Sequence, residues 1–163
     1  MIDHQENQKL DGSEVFLLLE YCPNGTLFDL IEQKCKLGFE GISDEAELYK
    51  ILKDISNGLR CLHERSISHR DLKIENVLQG EDSKWKLCDL GSCTTQQFNS
   101  QLAMADRENV RDEIEKVTTP IYRAPEQLDL FKGYKINTKV DIWALGCIMF
   151  TLMYHKPPFE DGQ

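Results

Sequence analysis

The sequence predicts an α+β fold that is mainly helical, with a few short strands. Two long stretches carry the helical signal. In residues 43–63, apolar side chains recur with helical period behind polar capping residues. Residues 139–154 are apolar on every side, with Thr138 as the predicted cap, and such a helix is expected in the core. Short apolar runs elsewhere, bounded by turn residues, predict the strands.

The N-terminal part is predicted to be a loop followed by one strand. Residues 3–14 are polar and contain the turn sequence Asp11-Gly12-Ser13, so an exposed loop is expected. The apolar run at residues 15–19 predicts a short buried strand. The strand is expected to end before the chain-breaking sequence Pro23-Asn24-Gly25.

Two helices are predicted next. Thr26 is placed to cap a short helix that runs through Ile31. After a polar stretch ending at Gly41, Ser43 is the predicted N-cap of a longer helix, because the acids that follow it suit the positive end of a helix. This longer helix should end near His63.

A hairpin and a surface helix are predicted in the middle of the chain. Residues 77–78 and 85–88 are apolar and flank a polar connection, as in a β-hairpin. Over residues 107–117, three apolar side chains lie at helical spacing among charges, which predicts a short surface helix.

Composition excludes several functional classes. The chain has 163 residues, enough for one domain, and its net charge of −9 with scattered basic residues argues against binding nucleic acid. Neither a signal sequence nor an apolar run of membrane-spanning length is present in the sequence. The six cysteines are irregularly spaced, which favours reduced thiols in the cytoplasm over disulfides or a zinc site. Cys88 is interpreted as a small buried hydrophobic residue, with a reactive thiol as the alternative.

The most informative motif is at residues 69–76, which read HRDLKIEN and fit the catalytic loop of a protein kinase. Asp71 can accept a hydrogen bond from an acceptor hydroxyl, and Lys73 can neutralise the γ-phosphate of ATP from the same side. Asn76 and Asp89, the latter 18 residues after Asp71, offer the hard oxygen ligands that Mg²⁺ prefers. Phosphoryl transfer from ATP is therefore the leading hypothesis. The alternative is an Asp-Lys pair on a solvated turn.

Further motifs follow in the order that this chemistry requires. Ala124-Pro125-Glu126 comes after Asp89, and Thr119 stands seven residues before Glu126, where serine/threonine kinases place a threonine that contacts the catalytic Asp and Lys. Thr119 therefore favours Ser or Thr acceptors over Tyr. Arg70 is the cation that in many kinases grips an activation-loop phosphate. The available hydroxyl residues are Thr94, Thr95, Ser100, Thr118 and Thr119.

From residue 15 to residue 158 the chain resembles the central part of a eukaryotic protein kinase, chiefly its C-lobe. Four segments narrow the resemblance: DLGS at 89–92, DEIEK at 112–116, TTPIYRAPE at 118–126 and INTKVDIWALGC at 136–147. By these segments the chain is most similar, among kinases, to the Numb-associated family, which includes the adaptor-associated and cyclin-G-associated kinases. The resemblance implies a protein-kinase-like fold, with the end of the N-lobe and the hinge at residues 1–22 and an incomplete C-lobe at residues 23–163.

The resemblance also implies a nucleotide site. Glu20, Tyr21 and Cys22 would form the hinge whose backbone meets adenine. Leu19 would stand as gatekeeper, and Leu78 would form the floor of the adenine pocket. ATP and Mg²⁺ are the implied cofactors.

Three other implications concern support and partners. Asp141 would brace the catalytic loop by accepting its backbone N–H groups. Residues 127–135 resemble the family's extra helix, which packs on the activation segment. Family members phosphorylate threonine in clathrin-adaptor subunits and act in endocytic traffic, so partners of this kind are implied.

The chain departs from the kinase pattern in two respects. Leu90 stands where kinases usually have Phe, and it keeps an apolar side chain at that position. The Gly-rich loop, the strand lysine and its glutamate partner would all precede residue 1, so the sequence is expected to be part of a longer kinase. The alternative function is a truncated, catalytically inactive binding module. A nucleotide-binding domain of another class is disfavoured, because the sequence has no Walker-type motif.

Overall fold

The computed structural model describes residues 2–9, 11–98 and 104–159, with side chains from residue 106 onward in the last range. It confirms the predicted α+β class: two small antiparallel sheets accompany a larger helical part. The strands and helices are β1 (Asp3–Lys9), β2 (Gly12–Leu18), α1 (Leu27–Lys36), α2 (Glu45–His63), β3 (Val77–Gln79), β4 (Trp85–Leu87), α3 (Met104–Val117), α4 (Pro125–Leu128) and α5 (Lys139–Tyr154).

The N-terminal segment forms a hairpin, and two predictions about it are wrong. Strand β1 lies where a loop was expected, pairing with β2 from Asp3 opposite Leu18 to Lys9 opposite Gly12. A polar strand is stable here because its backbone hydrogen bonds come from β2 and its side chains remain solvated. The predicted strand is present in β2, but the side chains of residues 15–19 are more than half exposed, not buried.

Helices α1 and α2 begin at side-chain caps. The Thr26 hydroxyl accepts a hydrogen bond from the Asp29 backbone N–H at 3.1 Å, and the Asp29 carboxylate accepts one from the Thr26 N–H at 2.7 Å. This capping box confirms the predicted start of α1. For α2 the predicted cap is wrong by one residue: Asp44, not Ser43, accepts from the Ala46 N–H, at 2.9 Å. Both residue types are good caps, and the carboxylate also interacts favourably with the helix dipole.

The predicted hairpin between residues 77 and 88 is confirmed as β3 and β4, with Val77 opposite Leu87. It lies on α2, where the Asp54 carboxylate accepts the Trp85 backbone N–H at 3.1 Å. Together with one face of α5, these elements enclose the main core. Its fully buried members are Leu27, Ile51, Ile55, Leu59, Leu72, Val77, Ile148 and Leu152.

The helix predicted over residues 107–117 is confirmed as α3, which starts earlier, at Met104. Its apolar side chains Val110 and Ile114 are buried in a second cluster. The extra helix expected over residues 127–135 is wrong beyond Leu128, where α4 ends and turns follow. Leu130 in these turns packs into the second cluster. Through Leu130 the segment packs against α3, mostly without helical structure.

Helix α5 confirms the predicted limits but not the predicted environment. Only one face is buried; Ile142, Trp143 and Met149 on the other side are exposed. Thr138 is the N-cap residue, as predicted, but its side chain makes no capping hydrogen bond; instead the Asn137 side chain accepts the Lys139 N–H at 2.9 Å. Among the described residues, none of the helices is both long and apolar enough to cross a membrane.

Candidate active site

The loop that carries the HRDLKIEN motif is anchored to α5 by one buried carboxylate. Asp141 is 1% exposed and accepts the backbone N–H groups of His69 at 2.8 Å and Arg70 at 2.9 Å. The expected bracing role of Asp141 is thus confirmed. The ring of His63, at the end of α2, also meets this carboxylate, with Nε2 2.8 Å from Oδ2. The sequence did not indicate this contact of His63, because the two residues are 78 positions apart and no local pattern connects them.

The same loop is tied to the chain that follows β4. The His69 ring is fully buried, with Nε2 3.0 Å from the Cys88 carbonyl oxygen. Ser68 and Thr94 exchange backbone hydrogen bonds at 2.9 and 3.0 Å. His69 therefore has the packing role of a structural residue, and the loop is fixed on two sides.

Three predicted site residues form one polar cluster. The Lys73 ammonium lies 2.8 Å from one carboxylate oxygen of Asp71, and the Thr119 hydroxyl donates to the other at 2.7 Å. Lys73 also donates to the Thr119 hydroxyl at 3.1 Å. The structure thus brings together residues that lie 46 to 48 positions apart, as the motif order predicted.

The electrostatics of this cluster keep Asp71 ionised. Partial burial by itself raises the pKa of Asp71. The hydrogen bonds from Lys73 and Thr119, together with the Lys73 charge, lower the pKa by more than burial raises it. The net result is a pKa below the ordinary value of 3.8. At neutral pH the carboxylate is therefore charged and able to accept a hydrogen bond from an incoming hydroxyl.

The two candidate metal ligands lie at the same end of the β3–β4 hairpin. Asn76 immediately precedes β3, and its carbonyl oxygen accepts the Cys88 N–H at 3.0 Å, next to Asp89. The Asn76 amide nitrogen donates to the Asp71 carbonyl oxygen at 2.8 Å, which fixes the side chain beside the cluster. Asp89 adopts a left-handed conformation, φ 57°. One amide and one carboxylate oxygen donor fit Mg²⁺, which keeps waters and phosphates as its other ligands.

The residues expected to meet adenine are less well assembled. Leu19 and Tyr21 are 60% and 77% exposed, whereas Leu78 is half-buried in β3. Glu20 forms an ion pair with Lys86 on β4, a contact that the sequence did not reveal. Leu19, the expected gatekeeper, directly follows β2 and is exposed.

Cys88 directly precedes Asp89 and lies near Cys22, one of the expected hinge residues. Burial raises the pKa of the Cys88 thiol, with the charge of Asp89 and the Cys22 sulfur adding to the effect. A raised pKa favours the neutral thiol, so the structure supports the unreactive interpretation of Cys88.

Two of the candidate phosphorylation sites, Thr118 and Thr119, have hydroxyls that are already hydrogen-bonded. Thr118 donates its hydroxyl to the Ile114 carbonyl at 2.6 Å and accepts from Arg123 at 2.7 Å. Thr119 belongs to the Asp71 cluster. Ser100, another candidate, lies outside the described residues.

Comparison with known proteins agrees with this geometry. A protein-family model described as the protein kinase domain matches residues 4–163. A Dictyostelium discoideum protein named as a probable serine/threonine-protein kinase is 41% identical over 160 residues, which cover 96% of this chain and 19% of that protein. Actin-regulating kinase 1 of Saccharomyces cerevisiae is 38% identical over 154 residues, 91% of this chain and 23% of that protein.

The yeast actin-regulating kinase PRK1 is 36% identical over 171 residues, which cover 98% of this chain and 20% of that protein. The chain therefore spans about a fifth of the length of the curated relatives it matches. The family match extends over nearly all of the chain, and the clustered motif residues are those on which the family resemblance rests. The chain belongs to the protein kinase family.

Proposed function

We propose that the protein containing this chain is a serine/threonine protein kinase that transfers the γ-phosphate of ATP to a protein hydroxyl. The observation that carries the proposal is the contact of Asp71 with both Lys73 and Thr119. A carboxylate that can orient an incoming hydroxyl, with a cation beside it to neutralise phosphate charge, is what phosphoryl transfer requires of the protein.

In the proposed reaction, Asp71 orients the acceptor hydroxyl and receives its proton as the oxygen attacks the γ-phosphorus. The bond from that phosphorus to the β-γ bridging oxygen breaks, and ADP leaves with the electron pair. Lys73 offsets the negative charge on the transferred group, while Thr119 holds both side chains in place. A positioned base of this kind contributes roughly 10² to 10⁴ in rate.

Asn76 and Asp89 are the proposed ligands of Mg²⁺, which would neutralise charge on the phosphates of ATP. Glu20 and Cys22 are the proposed hinge contacts to adenine, with Leu19 and Leu78 beside the ring. In this proposal, residues 1–22 end the N-lobe and residues 23–163 form an incomplete C-lobe.

The cellular role is proposed from the resemblance to Numb-associated kinases. The motif segments point to threonine in clathrin-adaptor subunits as a substrate class, and so to cytoplasmic control of endocytosis. Two relatives are named as actin-regulating kinases, which supports a role connected with actin regulation.

The test is phosphate transfer by the native protein that contains this chain. With ATP, Mg²⁺ and a mixed Ser/Thr/Tyr peptide library as acceptor, we expect phosphoserine and phosphothreonine only. Asp71→Asn and Asp89→Asn should each lower kcat at least about 100-fold. The matched control is Asp112→Asn, which changes an exposed carboxylate on α3 and should leave kcat unchanged.

Undiminished transfer by Asp71→Asn would refute the proposal. A wild-type protein that neither transfers phosphate nor binds ATP in calorimetry would instead support the alternative of a catalytically inactive binding module.

A further inference from the structure

Arg70, directly before Asp71, is a firmly held cation. Its backbone is in the left-handed region, φ 68°, which is uncommon for a residue other than glycine. Asp141 holds this conformation by accepting the Arg70 N–H at 2.9 Å. The Arg70 side chain is 12% exposed, so its charge needs a partner close by.

That partner is Glu113 on α3, whose carboxylate forms an ion pair with Arg70 Nη1. The two residues are 43 positions apart, and the Glu113 side chain is 35% exposed. Helix α3 is held in place because Ile114, the next residue, is buried in the second cluster. The carboxylate is thus positioned by the fold.

The Arg70 guanidinium also joins the two ends of the segment between Asp89 and Thr119. Its Nε donates to the Ser92 carbonyl at 2.6 Å, three residues after Asp89. Its Nη1 meets Glu113, six residues before Thr119. One side chain therefore connects a residue shortly after the proposed metal ligand Asp89 to a helix that ends shortly before Thr119.

In kinases that are switched on by phosphorylation, a phosphate on the activation loop supplies the anion for such an arginine. Here a carboxylate of the chain itself supplies it. Thr118 and Thr119, at the C-terminal end of the segment, are not available for phosphorylation in this arrangement. Their hydroxyls are engaged in the hydrogen bonds described above. A phosphate on either residue would break those bonds.

We propose that Glu113 is a positioning residue that takes the place of an activation-loop phosphate, so that phosphate transfer does not depend on phosphorylation of this segment. The inference rests on the proposed kinase function. It identifies how that site is regulated: the segment is held in its active arrangement by a permanent ion pair.

The experiment measures kcat and the KM for ATP of the native protein before and after treatment with a broad-specificity protein phosphatase. Intact-mass spectrometry verifies removal of phosphate. Treated wild-type protein should keep its kcat within about twofold. Glu113→Gln should lower kcat about 10- to 100-fold, the rate equivalent of one charge-assisted hydrogen bond, with the KM for ATP within about twofold.

Two further variants separate charge from fold. Glu115→Gln removes the same charge from an exposed position of α3 and should behave as wild type. Glu113→Asp keeps the charge on a shorter side chain and should recover part of the lost kcat. A purely structural role for Glu113 would not produce this recovery at equal thermal stability.

The outcomes distinguish the two proposals. If wild-type protein transfers phosphate only when its segment is phosphorylated, or if Glu113→Gln keeps full activity, the inference is overturned and the kinase function stands. The phosphatase comparison needs no variant, so it decides the matter even if Glu113→Gln fails to fold. A wild-type protein that is inactive in both states overturns the kinase function, and the inference with it.

Discussion

Replacing Asp141 by Ala should destabilise the protein strongly, because one carboxylate serves three donors. The variant leaves the backbone N–H groups of His69 and Arg70 without an acceptor in a region where Asp141 itself is 1% exposed. Each unsatisfied buried donor costs about 1 to 3 kcal/mol. The ring of His63 is partly exposed and can turn to water, so it adds little.

One effect makes the expected loss of stability in Asp141→Ala smaller than the cost of the two unsatisfied donors. Burying a carboxylate carries a desolvation penalty, which the alanine variant no longer has. We therefore expect the free energy of unfolding to fall by about 2 to 4 kcal/mol, in the lower part of the range for two lost acceptors. Asp141→Asn retains one oxygen acceptor and should lose about half as much.

The assay is equilibrium unfolding in urea of the intact catalytic domain that contains this chain, followed by tryptophan fluorescence. Asp112→Ala, an exposed carboxylate on α3, is the control and should stay within about 0.5 kcal/mol of wild type. If Asp141→Ala also stays within that margin, the loop does not need the carboxylate as an acceptor, and the bracing argument fails.

Three other predictions test separate parts of the structure. The folded-state pKa of Asp71 lies below its ordinary 3.8, so its stabilising contribution is complete above about pH 4 and is lost as the pH falls through the lowered value. The difference in free energy of unfolding between wild type and Asp71→Asn should therefore be larger at pH 5 than at pH 3. A difference that does not change with pH would contradict this. Gly41→Ala should cost at least about 2 kcal/mol in urea unfolding, because its Cβ would lie 1.8 Å from the Met153 carbonyl oxygen; an unchanged midpoint would show that the two segments do not approach so closely. This chain expressed alone should be poorly soluble because residues 15–19 are more than half exposed, and a double Phe16→Lys, Leu18→Lys variant should raise the soluble fraction in a sedimentation assay; a monodisperse wild-type monomer would refute this.

Local signals in the sequence predicted most of the helical structure. The Thr26 cap, the periodic apolar positions of α2 and the β3–β4 hairpin each depend on neighbours within a few residues, and all three were correct. Motif order also predicted the contact of Asp71 with Thr119, because a family pattern carries information about distant contacts.

The errors arise where tertiary contacts decide the outcome. The polar β1 carries no strand signal of its own, since its hydrogen bonds come from pairing with β2. Apolar sequence predicted burial for residues 15–19 and for all of α5, yet burial depends on which surfaces meet. The ion pair of Arg70 with Glu113 was missed, because an acidic residue in a charged helix looks like any solvated one.

Burial divides the candidate site into two parts with different physical properties. Around Asp71, the charges are partly desolvated, hydrogen-bonded and fixed through Asp141 to α5, so the groups aimed at the phosphate need little reorganisation during transfer. Where adenine is proposed to bind, Leu19 is largely exposed and offers an aromatic ring little enclosed apolar surface. In the proposed reaction, preorganisation of the first part would set the rate of transfer, whereas enclosure at the second would set the affinity for the nucleotide. Changes at Asp141 or Glu113 should therefore lower kcat, while changes at the hinge should raise the KM for ATP.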